Sequence, residues 1–143
     1  MRFFLLLVVL LGLGCSNDDE NFEIDSFYDC KKGTEKDFSI SSSEVIGKWK
    51  WIESSCSFCL DPKPYRADKK VIAEFKSDKT YMVVEDSKVV SEGTWDIQEK
   101  QSIFIMVLDP KPKYLDGTIL VCQNQLISDA RPWDGVGYLF TRN

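Results

Sequence analysis

The sequence predicts an all-β fold: a small antiparallel meander barrel of seven to eight strands, preceded by a signal peptide and a flexible arm. Three observations predict it. Apolar and polar side chains alternate with period two over residues 44–143, and turn residues recur at short intervals. No window longer than two turns carries a 3.6-residue apolar stripe, the one helical candidate being the short stretch Ser42 to Ile46. Eight consecutive strands can close on themselves and so remove their own edges. A two-sheet sandwich fits less well, because long crossovers are few.

The elements follow in chain order. Met1 and Arg2 make a minimal positive start, Phe3 to Leu11 is unbroken apolar sequence, and Gly12-Leu13-Gly14-Cys15 follows. The run is too short for a permanent membrane span and reads as a secretory signal over residues 1–14. Small residues ahead of Cys15 and Ser16 resemble the lipobox of bacterial lipoproteins. That resemblance implies an acylated Cys15, loss of Met1 to Gly14, and a membrane contact made through lipid. Several acyl chains anchor stably where one is marginal, at roughly 0.8 kcal/mol per buried CH2. Ser16 resembles the position after the cysteine in outer-membrane lipoproteins. The run Ser16-Asn17-Asp18-Asp19-Glu20 is similar to acidic tethers that carry such proteins to the cell surface, and it equally suits a plain solvated linker. The implied location is the bacterial outer membrane, facing the periplasm or the exterior.

Residues 15–43 read as lipidated cysteine plus acidic tether, since low hydrophobicity with clustered charge does not offset ordering entropy. Phe22, Ile24, Phe27 and Tyr28 form a short apolar patch suited to docking on the domain near Cys30.

In the domain, Lys48 to Ile52 puts Trp49 and Trp51 on one face, and Lys69 to Lys76 puts Val71, Ala73 and Phe75 together. Further strands are expected over Thr80 to Val84, Val89 to Ile97 (with a bulge at Gly93), Ser102 to Leu108, Thr118 to Cys122, Gln125 to Ser128 and Gly137 to Arg142. Ile103 to Leu108 is apolar on both faces, so a cover is expected on its outer side. Gly47-Lys48-Trp49 at the first strand resembles the Gly-x-Trp signature of lipocalins. Gly93-Thr94-Trp95-Asp96-Ile97 and Tyr138-Leu139-Phe140-Thr141-Arg142 are similar to the middle and last strands of short bacterial lipocalin-like lipoproteins. The resemblance implies that Trp49 is covered by Arg142 at the closed end of the barrel, a structural pair.

Leu60-Asp61-Pro62-Lys63-Pro64-Tyr65 recurs as Leu108-Asp109-Pro110-Lys111-Pro112-Lys113-Tyr114. The copies follow the first and fifth expected strands, which end at one mouth, opposite Trp49. Proline stiffens such loops and lowers the ordering cost of binding. Asp61, Lys63, Tyr65, Asp109, Lys111 and Tyr114 are therefore expected to form a mixed-charge aromatic rim.

With Cys15 lipidated, Cys30, Cys56, Cys59 and Cys122 remain, and an exported chain is expected to cross-link them. Three pairings are open, and the expected one joins Cys122 to the Cys56/Cys59 loop and fastens Cys30. A redox role for Cys56-Ser57-Phe58-Cys59 is a weaker reading, because such thiols want a helix N-terminus.

Composition narrows function. The 143 residues carry 18 Lys and Arg against 23 Asp and Glu, and no histidine. A net charge of -5 without basic clusters argues against nucleic acid. Lack of histidine removes the commonest general base and zinc ligand. The expectation is a monomeric, non-enzymatic module without cofactor or metal, binding a protein or glycan. The other class is a carrier of a small hydrophobic ligand, and bulky interior aromatics weigh against it.

Overall fold

The computed structural model describes residues 42–60, 64–100 and 103–143. The expected signal, Cys15, Cys30, Asp61 and Lys63 lie outside the described residues. One helical turn, α1 (Ser42–Val45), leads into β1 (Gly47–Cys56), β2 (Tyr65–Arg66), β3 (Val71–Phe75), β4 (Thr80–Glu85), β5 (Lys88–Lys100), β6 (Ile103–Asp109), β7 (Thr118–Cys122), β8 (Gln125–Asp129) and β9 (Val136–Arg142). Strands pair antiparallel in the order β2-β1-β3-β4-β5-β6-β7-β8-β9, and β1 also pairs with β9. That pairing closes an eight-stranded barrel, with β2 as an extra strand. The barrel strands fall where alternation predicts them. The two-residue β2 is an addition: too short to show a period, it lies along Glu53 and Ser54, the part of β1 beyond its pairing with β3.

Alternation sends one side chain in two to the interior. Trp49, Trp51, Val71, Ala73, Phe75, Tyr81, Val83, Trp95, Met106, Leu108, Ile119, Leu126, Tyr138 and Phe140 are buried in one cluster. Each such large side chain contributes roughly 1.5–3 kcal/mol by leaving water. Rings meet at angles that favour edge-to-face contact, with Phe75 and Trp95 centroids 5.4 Å apart at 71°.

Two local expectations change. The β1 register shifts between Trp51 and Glu53, where the Trp51 indole donates to the Glu53 carbonyl at 2.7 Å. Gly93 is not the bulge: the β4–β5 register shifts at Val83/Val84 instead. Gly93 is required because a Cβ there would run into the Asp109 carbonyl oxygen of β6.

The closed end is built from α1, the start of β1 and the end of β9. Trp49 and Arg142 are register partners, and the guanidinium carbon lies 4.2 Å from the indole centroid. A short helix leaves its last carbonyls unpaired, and here three in succession find donors. Arg142 gives Nη2 to Glu44 O at 2.8 Å and Nη1 to Ile46 O at 3.0 Å, and Trp49 Nε1 gives to Val45 O at 2.7 Å. Gly47 has φ +135°, and a Cβ on it would lie 2.7 Å from Arg142 Nη1. Glycine before the tryptophan thus serves both the backbone conformation and the arginine's approach.

Gly47→Ala is therefore expected to lower unfolding free energy by about 1–3 kcal/mol. Arg142→Ala is expected to cost about 1–2 kcal/mol through lost stacking and carbonyl bonds. Arg142→Lys should recover only part, since an ammonium cannot fork to two carbonyls while stacking. Urea titration of the three variants tests this, and an unchanged midpoint in Gly47→Ala would contradict it.

Candidate functional site

At the end opposite Trp49, β1 and β6 finish and the β1–β2, β4–β5, β6–β7 and β8–β9 connections gather. The two repeat copies diverge there. The second leaves β6 and turns into the barrel. Tyr114 and Leu115 are buried, the Tyr114 ring lying tilted 5.3 Å from Trp51 and edge-on 5.5 Å from Tyr138. Several bonds hold this insertion. Ser128 Oγ accepts from the Asp116 amide and donates to the Asp116 carbonyl, both at 2.7 Å. The Tyr81 hydroxyl donates to the Pro110 carbonyl, and Lys111 pairs with Asp116 at 2.6 Å. Tyr114, expected on the rim, is instead a plug. An aromatic ring gains more by filling the barrel's open end than by standing in water. Asp109 and Lys111 stay exposed, Lys111 tied to its own loop.

Of the first copy, the described residues Leu60, Pro64 and Tyr65 are exposed. Tyr65 is half exposed on β2, opposite Ser54. It lies close enough to Tyr138 to add to the upward shift of that phenol, which burial mainly causes. Tyr65 pairs with Ser54 and Ser54 with Tyr138, so Tyr65 and Tyr138 lie on one face of the sheet.

The Tyr114 hydroxyl donates to Glu85 Oε2 at 2.6 Å, and Lys69 Nζ meets Glu85 Oε1 at 2.6 Å. The lysine and then the tyrosine hold the Glu85 carboxyl below the usual carboxylate range. Burial and then the Glu85 bond push the Tyr114 phenol well above its ordinary value. Neither group is poised to exchange a proton near neutral pH. Among the described residues no three His, Cys, Asp or Glu side chains gather to hold a metal.

The cysteines depart from expectation. Cys56 bonds to Cys59, with Cα atoms 5.5 Å apart, rather than to Cys122. Cys122 is itself disulfide-bonded. It ends β7 beside Gln125, which pairs with Thr141, so it lies at the Trp49 end and out of reach of the Cys56 loop.

Sequence reasoning missed the exposed apolar side chains of the rim. Phe58 inside the disulfide loop is 73% exposed, and Trp133 in a 3-10 turn (Arg131–Trp133) is 56% exposed. Leu60, Val89 and Val90 add to the same end. Both aromatic loops are braced. Cys56–Cys59 closes the first. In the second, Asp129 accepts from Arg131 Nε at 2.9 Å, Nη2 at 3.0 Å and the Arg131 amide at 3.0 Å. Gly137 gives that guanidinium room, since a Cβ would lie 3.0 Å from Nε. Braced aromatics lose little freedom on binding. A Phe within a CxxC loop and a Trp after a proline are the signals that were available in the sequence. A separate groove of about 220 Å3, floored by Ile72, Met82 and Val84 and flanked by Lys48 and Lys70, lies on the outer face of β3 and β4.

No family model, curated protein or solved structure matches this chain.

Stability should fall at both pH extremes through the Glu85–Tyr114 bond. Glu85 has a depressed folded value, so its contribution is full above the ordinary 4.5 and is lost as pH drops through that lower value. Tyr114 has a raised one, so its contribution is full below the ordinary 10.0 and is lost as pH climbs above it. Glu85→Gln should flatten the acid limb and Tyr114→Phe the alkaline limb of a melting-temperature profile. Parallel profiles would refute the assignment.

Proposed function

We propose that this chain is a non-enzymatic envelope or surface lipoprotein, moored by lipid on Cys15, whose barrel is a binding module for a protein or glycan. One observation carries the reading: large aromatic side chains pack into the barrel interior, while bulky apolar side chains stand in water on braced loops at one end. Solvated aromatics on rigid supports are what interface anchors look like before a partner arrives. Phe58 and Trp133 are the anchors, with Tyr65 half exposed at the same end.

The carrier reading, with a small hydrophobic ligand inside the barrel, loses support from Tyr114 and Leu115 occupying the mouth. A redox reading of Cys56–Cys59 has one observation in favour, an exposed Cys59. Against it, the pair ends a β-strand and has no helix terminus to stabilise a thiolate.

Photo-crosslinking residues placed at 58 and 133 of the full chain, expressed in a Gram-negative envelope, are expected to capture one common partner. A crosslinker at Lys50, on the opposite half of β1, should capture none of it. The double variant Phe58→Ser, Trp133→Ser should lose the partner while keeping its melting temperature. Equal capture from all positions, or a melting temperature raised by fatty acids or porphyrins, would overturn the rim reading. Labelling with a palmitate analogue, lost in Cys15→Ser, checks the anchor separately.

A further inference from the structure

A second apolar cluster lies on the outside of the wall. Leu120, Ile127 and Leu139 are register neighbours on β7, β8 and β9, and they point away from Ile119, Leu126 and Phe140 of the interior. Ile52 and Cys122 adjoin them. An outer face should meet water, yet these three are 3%, 0% and 0% exposed. Glu53, opposite Leu139 on the same face, is also buried. By contrast, the outer face of β6 leaves Val107 exposed. The cluster's apolar members among the described residues lie within the wall itself, so the cover comes from elsewhere in the chain.

Cysteine arithmetic says which part. The chain has five cysteines. Cys56 and Cys59 bond each other, and Cys122 is disulfide-bonded at the edge of this patch. Its partner is therefore Cys15 or Cys30. Immediately before Cys30 stand Phe22, Ile24, Phe27 and Tyr28, the apolar side chains such a face requires. Reach agrees: α1 begins at Ser42 at the Trp49 end, where Cys122 also lies. The chain from Cys30 to Ser42 extends up to about 40 Å.

We infer that residues 22–30 are a strap docked across the outer face of β7, β8 and β9, fastened by a Cys30–Cys122 disulfide. The strap buries Leu120, Ile127 and Leu139 through Phe22, Ile24, Phe27 and Tyr28. It also orients the molecule, a consequence that rests on the Cys15 anchor. The tether is made fast at the closed end, so the Phe58 and Trp133 rim points away from the membrane.

Non-reducing peptide mapping of the full chain from a Gram-negative envelope is expected to recover Cys30 joined to Cys122. Cys122 joined to Cys15, or isolated as a free thiol, overturns the strap. Hydroxyl-radical footprinting gives a second measurement. The quadruple variant Phe22→Ser, Ile24→Ser, Phe27→Ser, Tyr28→Ser should raise labelling of Leu120, Ile127 and Leu139 several-fold and leave Trp49 and Phe140 unchanged. Unchanged labelling of the outer three overturns it, as does an equal rise at the interior pair. A Cys30–Cys122 link in a chain whose Cys15 takes no palmitate analogue keeps the strap and removes the anchor and the orientation.

Discussion

The pairing of β1 with β9 is the constraint on which the rest of this molecule depends. A meander has two free edges until its first and last strands meet, and only closure satisfies their backbone groups. The Trp49–Arg142 contact sits at the end of that seam and performs three tasks at once. It stacks a cation on a buried indole, fills the bottom of the barrel, and supplies the donors that α1 lacks. Gly47 is part of the same device, since any side chain there would displace the guanidinium.

With the bottom closed by a tryptophan and an arginine, the top is closed by different means. The β6–β7 loop enters the mouth and lays Tyr114 among Trp51 and Tyr138. Two copies of one short sequence thus meet opposite fates. After β1 comes a disulfide loop, and β2 then lies along β1 with Tyr65 half exposed. The copy after β6 turns inward, where Ser128 and Glu85 receive its polar groups. The exposed Phe58 and Trp133 at this end stand on loops braced by a disulfide and by the Asp129–Arg131 contact.

Much of this was legible beforehand, and the limits of legibility are physical. Trp49, Trp51, Val71, Ala73, Phe75 and Phe140 announce their inward direction through local alternation, because the β pleat has a period of two. Trp49 and Arg142 were legible as a pair through the resemblance of the first and last strands, and a meander agrees by placing the start of its first strand beside the end of its last. The Gly93 environment was not, since it concerns the Asp109 carbonyl of a neighbouring strand. The Cys56–Cys59 bond was adjacent in sequence, yet the arithmetic of four thiols favoured a longer link until Cys122 was seen at the far end of the barrel.

The sequence by itself determined where the eight barrel strands lie and which of their side chains face inward. These follow from interactions between residues near one another along the chain, above all the separation of apolar from polar faces. Tertiary structure alone decided that Tyr114 is a plug while Tyr65 stays at the surface, which cysteines meet, and where exposed aromatics collect. Those outcomes depend on distances between strands far apart in sequence, and such distances exist only once β1 and β9 have joined.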